Sequence, residues 1–331
     1  MEIKNKEIVS AVKPSADQLA LLKGKDILSA AQFTKEELDL IMETAAYYEK
    51  KVKDGEVLKD MEGKVMASLF FEPSTRTRLS FETAMSRLGG SVITVAESAK
   101  VQTSSTAKGE TLYDSIRVID LYADVIVVRS PQKGAADEAA LAAENPVLNS
   151  GDGAGEHPTQ ALLDIYTILK ERGDLKGLTV TLLGDLKHGR TVHSLIRLLS
   201  HFGCHIILVA PEKLRMPAEI VADVEKLGVD VKQTDNLSEA AAVSDVLYVT
   251  RIQKERFENE AEYDLVKNDF IVESELLKTA KEGIVIMHPL PRVNEITVDV
   301  DDYAGAAYFR QAGNGVPVRM ALLALVKGCV R

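Results

Sequence analysis

The sequence predicts an α/β protein of two domains, each a mainly parallel sheet flanked by helices, joined by a hinge. Three observations point there. Apolar, β-branched runs of strand length alternate with runs of helical period along most of the chain. The length, 331 residues, suits two cores better than one. A glycine-rich tract, Gly151-Asp152-Gly153-Ala154-Gly155, interrupts the pattern near the middle.

The first convincing helix starts at Thr34, where Thr34 and Glu37 have capping-box spacing and Leu38, Ile41, Met42 and Ala45 form one apolar stripe. Strand candidates follow at Val65–Phe70, Val92–Val95, Asp124–Val128 and Val147–Asn149, then at Leu178–Leu183, His205–Ala210, Val246–Thr250 and Ile284–Met287. They are the nearly continuous apolar runs of strands buried on both faces of a parallel sheet. Helical patterns separate them, among them Leu79–Leu88, Thr111–Tyr122, Pro158–Lys170 and Thr191–Phe202. The Gly151–Gly155 tract predicts a flexible connection, with the boundary in the Glu156–Pro158 turn and domains of 1–157 and 158–311. Gly313-Asn314-Gly315 predicts a second break, before a last helix at Pro317–Lys327.

Composition narrows the function classes. A formal net charge of −10 argues against non-specific nucleic-acid binding, which depends on clustered Lys and Arg. Anionic ligands would then need a local basic cleft. No apolar run approaches the roughly eighteen residues of a membrane span, and Met1–Lys25 has no continuous apolar core, so no signal peptide is expected. Cys204 and Cys329 lack ligand-like spacing, which fits a reducing cytoplasm and no zinc site. There is no G-x-S-x-G, no H-E-x-x-H and no acidic cluster of metal-ligand spacing, so no metal and no cofactor are expected.

In open α/β sheets ligands bind at the carboxyl ends of the strands. Five polar motifs fall there: Phe70–Arg78, Arg129–Gln132, Gly184–Thr191, Arg251–Gln253 and His288–Arg292. Around Ser74-Thr75-Arg76-Thr77-Arg78, hydroxyls and guanidiniums crowd the start of a helix, whose free N–H groups and dipole suit a phosphate. A plain reading makes Ser74 an N-cap and the arginines a solvated face. It accounts for one hydroxyl, not three alternating with two arginines. Gly184-Asp185-Leu186-Lys187-His188-Gly189-Arg190-Thr191 nearly matches a Walker phosphate loop, with Arg190 in the Lys position. Arg favours planar bidentate acceptors, so a carboxylate site, a nucleotide site and a structural turn all stand as readings. His157 precedes Pro158 at a helix start, with Gln160 and Asp164 on successive turns, and could donate to a carbonyl oxygen or be structural. Arg251–Arg256 could be a charged surface turn, and Thr103–Glu110 a polar loop. The two prolines of His288-Pro289-Leu290-Pro291-Arg292 suit carbonyls and an amide presented rigidly to a ligand.

Taken together and in order, Ser74-Thr75-Arg76-Thr77, Lys108-Gly109-Glu110-Thr111, His157-Pro158-Thr159-Gln160, Gly184–Thr191, Arg251–Arg256 and His288–Arg292 resemble the catalytic chains of the aspartate/ornithine carbamoyltransferase family, on its aspartate side. The likeness runs over roughly residues 27–331; residues 1–26 fall outside it. Ornithine enzymes typically carry a cysteine where this chain has Pro289, and they bind a cationic side chain. The resemblance implies carbamoyl transfer from carbamoyl phosphate to the amine of L-aspartate in pyrimidine (UMP) biosynthesis. It implies a C-terminal helix, about 312–331, packing back on the first domain. It implies that Ser74, Thr75, Arg76 and Thr77 bind the phosphate; that Thr77, Arg129 and His157 hold the carbonyl oxygen; and that Gln160 with the Pro289-Leu290-Pro291 segment holds the carbamoyl nitrogen. Arg190, Arg251, Gln253 and Leu290 would contact aspartate. Ser104 and Lys108 would enter a neighbouring subunit's site, making a homotrimer with shared active sites, and Lys108 would touch both substrates. The resemblance also admits regulatory chains or other pathway enzymes as partners.

Overall fold

The computed structural model describes residues 9–97, 108–257, 259, 263, 264, 266 and 270–331. The chain divides into two compact units, Met1–Tyr166 with Asn314–Arg331, and Thr167–Gly313.

The first unit opens with a short helix α1 (Ala16–Ala20) and a long one, α2 (Lys35–Lys53). Thr34 caps α2 with the reciprocal Glu37 bond expected from the sequence. Strands and helices then alternate: β1 (Val65–Phe70), α3 (Thr75–Arg87), β2 (Ser91–Ala96), α4 (Leu112–Ile119), β3 (Val125–Ser130), α5 (Ala135–Ala142) and β4 (Val147–Asp152). The sheet is parallel, in the order β2-β1-β3-β4. Its register sets Phe70 beside Ala96 on one side and Arg129 on the other. The connections after β1, β2, β3 and β4 therefore leave from one edge. Ala67, Leu69, Ile126, Val128 and Val147 fill the core on one sheet face with Ile116 of α4 and Ala139 and Ala142 of α5.

The second unit holds β5 (Thr179–Leu183), α7 (Arg190–Leu199), β6 (His205–Val209), α8 (Ala218–Glu225), β7 (Val231–Thr234), α9 (Leu237–Ala241), β8 (Val246–Val249), α10 (Ser274–Leu277) and β9 (Val285–Met287). Its parallel order is β7-β6-β5-β8-β9. Leu183 pairs with Val249 and Tyr248 with Met287, so the segments starting at Gly184, Thr250 and His288 leave from neighbouring strand ends. The helix α6 (Pro158–Arg172) contains the division at Tyr166, and α11 (Tyr308–Lys327) the one at Gly313.

Four local departures from the sequence reading have physical causes. The helix expected from Leu79 begins at Thr75, so Thr75 to Arg78 form its first turn. The predicted flexible tract is in part β4: Asn149 to Asp152 are buried strand residues. Beyond it, Gly153 has φ 52°, and a Cβ there would lie 2.5 Å from the Pro131 carbonyl oxygen, so its glycine permits close approach rather than motion. The break expected at Gly313–Gly315 is absent, and α11 runs through both glycines and Pro317. β7 was not foreseen, because this edge strand carries Lys232 and Gln233 exposed.

Candidate active site

In the first unit the site is built on the end of β1. Ser74 is the N-cap of α3, in extended backbone, and its side chain makes no capping hydrogen bond. By contrast Thr34 and Thr111, which cap α2 and α4, both accept from a backbone N–H of their own helix. The start of α3 thus keeps its positive end for something other than its own side chain. Thr75 and Arg76 are exposed there, and Thr77 is buried. A cavity of about 290 Å³ opens against this turn, lined in part by Ser74, Thr75, Arg78, Glu72 and Glu97.

Arg129, at the end of β3, is 9% exposed. Its Nη1 donates to the Ser150 carbonyl at 3.1 Å, and its Nη2 pairs with Glu72 at 2.9 Å. The turn after β4 is held by Asp152, whose carboxylate accepts from the amides of Gly134 at 2.9 Å and Glu156 at 2.7 Å. A Cβ on Gly155 would come within 2.7 Å of that carboxylate. This turn delivers His157, 4% exposed, to the start of α6. One turn on, Gln160 donates its Nε2 to Asp164 Oδ1 at 2.9 Å. A carboxylate only accepts, so the contact fixes which end of the amide points where. Nε2 faces Asp164 and Oε1 is turned away as an acceptor. That is the polarity needed to receive an N–H of a ligand amide.

In the second unit Gly184 ends β5 with φ 118°, and a Cβ there would lie 2.2 Å from the Thr250 carbonyl oxygen. The glycine lets the ends of β5 and β8 close together. Asp185, wholly buried, fills the loop. It accepts from the amide of His188 at 3.0 Å, from His188 Nδ1 at 3.1 Å and from the amide of Gln253 at 3.5 Å. A phosphate loop leaves such amides to its ligand. Here a carboxylate already takes the loop's own His188 amide, which weighs against the nucleotide reading. Arg190 is the first residue of α7, half-buried, and Arg251 and Gln253, also half-buried, follow β8.

The segment after β9 is fixed from both sides. His288 is 1% and Glu295 4% exposed, and they share a hydrogen bond of 2.7 Å. His288 Nδ1 accepts the Leu290 amide at 2.7 Å, so Nδ1 carries no proton and Nε2 donates to Glu295. Glu295's other oxygen accepts from the amides of Val293 and Asn294, both at 3.1 Å. Burial raises the Glu295 carboxyl, but its hydrogen bonds, the His288 one foremost, outweigh this and leave it below the usual carboxylate range. Leu290 is held at φ 55°. The sequence reading expected carbonyls and an amide to face a ligand from this segment. The Leu290 amide is committed to His288, which leaves carbonyls. Arg292 is likewise committed: it pairs bidentately with Asp301 and lies over the Tyr308 ring at 5.2 Å.

Ser74, Thr75, Arg76, Thr77, Arg129, His157 and Gln160 therefore gather in the first unit, while Arg190, Arg251, Gln253, Pro289, Leu290 and Pro291 belong to the second. Lys108 is exposed at a turn. Ser104 lies outside the described residues. Sequence reasoning missed Glu72, Asp152, Asp185, His288 with Glu295, and Arg319 as supports. The signal for Asp185 and Asp152 was an Asp one residue after or before a glycine at a strand end. Among the described residues there is no group of three or more His, Cys, Asp or Glu placed to hold a metal ion. No helix among them is long and apolar enough to cross a membrane.

Comparison with known proteins finds two domains in the same chain order, the second family match running on into α11. Residues 25–171 match the aspartate/ornithine carbamoyltransferase carbamoyl-P binding domain, and residues 176–326 the Asp/Orn binding domain of that family. An aspartate carbamoyltransferase catalytic subunit from Thermococcus gammatolerans is 51% identical over 92% of this chain and 98% of its own length. The structure is similar to aspartate transcarbamoylase from Trypanosoma cruzi in complex with carbamoyl phosphate and aspartate, with a TM-score of 0.88 and 45% identity over 93% of this chain and 98% of that one. It is also similar to the catalytic subunit of M. jannaschii aspartate transcarbamoylase, with a TM-score of 0.84 and 47% identity over 91% and 97% of the two chains. With both domain types matched in order and relatives alike over nearly their whole length, the chain belongs to the aspartate/ornithine carbamoyltransferase family.

Proposed function

We propose that this chain is an aspartate carbamoyltransferase, making N-carbamoyl-L-aspartate and phosphate from carbamoyl phosphate and L-aspartate. The observation that carries this is the start of α3, where Ser74 caps nothing and Thr75, Arg76 and Thr77 share the turn. Those four residues bind the phosphate of the donor. Thr77, Arg129 and His157 take the carbonyl oxygen. The acceptor end of Gln160, with the carbonyls of the Pro289-Leu290-Pro291 segment, takes the carbamoyl NH2. Arg190, Arg251 and Gln253 take the aspartate carboxylates, with Leu290 alongside.

The aspartate amine attacks the carbonyl carbon, a tetrahedral oxyanion forms, and the bond from carbon to the phosphate oxygen breaks. The departing phosphate accepts the amine proton, so no covalent enzyme intermediate arises. Each donor placed on the oxyanion is worth about 3 kcal/mol in barrier. Holding two mutually repelling anions in line adds an effective molarity of order 10⁵ M or more. Arginine as the acceptor-side cation favours a dicarboxylate over ornithine, whose side chain is positive. The reading extends to a homotrimer in which Ser104 and Lys108 serve a neighbouring site, to pyrimidine synthesis and to the cytoplasm.

The test is a carbamoyl-transfer assay offering aspartate and ornithine in parallel, with the native assembly weighed by mass spectrometry. Carbamoylation of aspartate alone, by a particle of three chains or a multiple of three, is expected. Turnover with ornithine only, or consumption of carbamoyl phosphate no faster with aspartate than without, sinks the assignment. Subunits carrying Lys108→Ala mixed with subunits carrying Arg76→Ala should recover some activity if sites are shared.

A further inference from the structure

We propose that Arg319 is a positioning residue for the carbamoyl-phosphate half of the reaction, a buried guanidinium that holds the first turn of α3 through the Ser80 hydroxyl. The inference rests on the assignment of Ser74–Thr77 given above.

The starting point is the glycine pair that looked like a helix break. A glycine inside a helix costs about 1 kcal/mol against alanine, and α11 holds two besides Pro317. For Gly315 the structure gives a reason. A Cβ there would sit 2.3 Å from Arg319 Nη1 and 3.3 Å from Leu163. The space a side chain would fill at 315 is taken by the guanidinium one turn later.

Arg319 is 2% exposed. Burying a cation is expensive, and an apolar side chain of similar volume is often as stable or more so. Core stability alone does not account for it. Its contacts do suggest a purpose. Nη1 donates to Ser80 Oγ at 2.8 Å. The Ser80 hydroxyl has one hydrogen, and the carbonyls of Arg76 at 2.6 Å and Thr77 at 2.9 Å lie within its reach. With a lone pair of Oγ held by Arg319, that hydrogen is aimed at the two carbonyls. These are the residues placed on the phosphate and the carbonyl oxygen. The guanidinium lies over the Phe81 ring, 4.9 Å from its centre. Burial pushes the Arg319 guanidinium down to about 9, an effect the charge of Asp164 offsets only in part.

One buried guanidinium thus orders the backbone of the turn placed on the phosphate, through a single hydroxyl.

The test is steady-state kinetics with each substrate varied at saturation of the other, beside thermal unfolding, on the purified protein in its native assembly. Ser80→Ala, which removes only a hydroxyl, should raise KM for carbamoyl phosphate about fivefold to tenfold, the size of one lost hydrogen bond, and leave KM for aspartate within twofold. Arg319→Met should lower kcat/KM for carbamoyl phosphate about a hundredfold, as misplaced catalytic groups do, without a matching fall in Tm. Arg319→Lys should recover part of that loss. A folded Arg319→Met with kcat/KM within twofold of the parent overturns the proposal. So does a Ser80→Ala that melts earlier yet keeps its KM, and this variant decides alone if Arg319→Met proves insoluble. Arg76→Ala is run alongside: if it leaves carbamoyl-phosphate kinetics intact, the underlying site assignment fails and the inference with it. If it is crippled while Ser80→Ala and Arg319→Met are not, only the inference fails.

Discussion

Two connections of the same kind sit at the strand ends of the two units, and they are finished in opposite ways. After β1 the loop reaches α3 with a hydroxyl cap that bonds nothing in its helix. After β5 the loop reaches α7 with its interior occupied by Asp185, which accepts from two backbone amides and an imidazole. Both are strand, turn, helix, and both carry arginine and threonine at the helix start. The second even has the glycine spacing of a nucleotide loop. What separates them is who holds the backbone donors. At the α3 turn the Ser74 side chain takes no helix N–H, whereas in the β5 turn the Asp185 carboxylate takes the His188 amide and imidazole. Residue spacing alone does not make a phosphate site.

Four experiments would break or sharpen that contrast. The largest effect is expected from Arg76→Ala, which removes a cation from the uncapped turn. It should lower kcat/KM by 10²–10³, as loss of one preorganised donor does, with Tm almost unchanged. Next is Gly184→Ala, where a Cβ would meet the Thr250 carbonyl at 2.2 Å in a left-handed backbone. It should destabilise by about 3 kcal/mol in urea unfolding, strain and overpacking together. Asp185→Asn should lose about 2 kcal/mol of stability, because an amide cannot accept at both ends. It should also raise KM for the amino-acid substrate and leave KM for carbamoyl phosphate within twofold. If Asp185→Asn impairs carbamoyl phosphate instead, the division of labour drawn here is wrong. Smallest in stability is Ser74→Ala. Since Ser74 caps nothing, unfolding free energy should shift by under about 0.5 kcal/mol, while the capping threonine change Thr34→Ala should lose about 1 kcal/mol. Equal losses would show that Ser74 is an ordinary cap.

Acid unfolding offers a further check on the second unit. The folded Glu295 carboxyl titrates below its ordinary range, so its contribution to stability is present above the unfolded value, near 4.3, and is lost as pH falls through the lower folded value. Glu295→Gln should flatten the stability curve in that acid window and lower it throughout the neutral range. An amide in that place must set a donor against either His288 or the Val293 and Asn294 amides.

Much of this was legible in the sequence, for identifiable reasons. Strands buried on both faces read as apolar runs, so β1, β5, β6 and β8 were placed to within a residue or so. β7 was not, because this edge strand carries Lys232 and Gln233 in place of such a run. Candidate ligand-binding residues were legible as chemistry at strand ends. Their supports were not. Asp164 was visible one turn from Gln160 but not its bond to that amide, Arg319 reaches Ser80 across 239 residues, and Gly315 read as a break because its partner lies one turn away inside the helix. The glycines beyond β4 misled for the same reason: glycine signals freedom or close approach, and the sequence does not say which.

The order of segments in the first unit bears on how the nascent chain matures. That unit is written in two pieces, Met1–Tyr166 and Asn314–Arg331, with the whole second unit between them. Domains usually fold as the ribosome releases them. Here the second unit is complete before the first can be. Until α11 emerges, the first unit lacks Leu322, Leu323 and Leu325 from its core and Arg319 beneath the phosphate turn. A translating ribosome would carry an acceptor half already folded and a donor half still waiting for α11. Competence to grip the donor would come only once α11 is made.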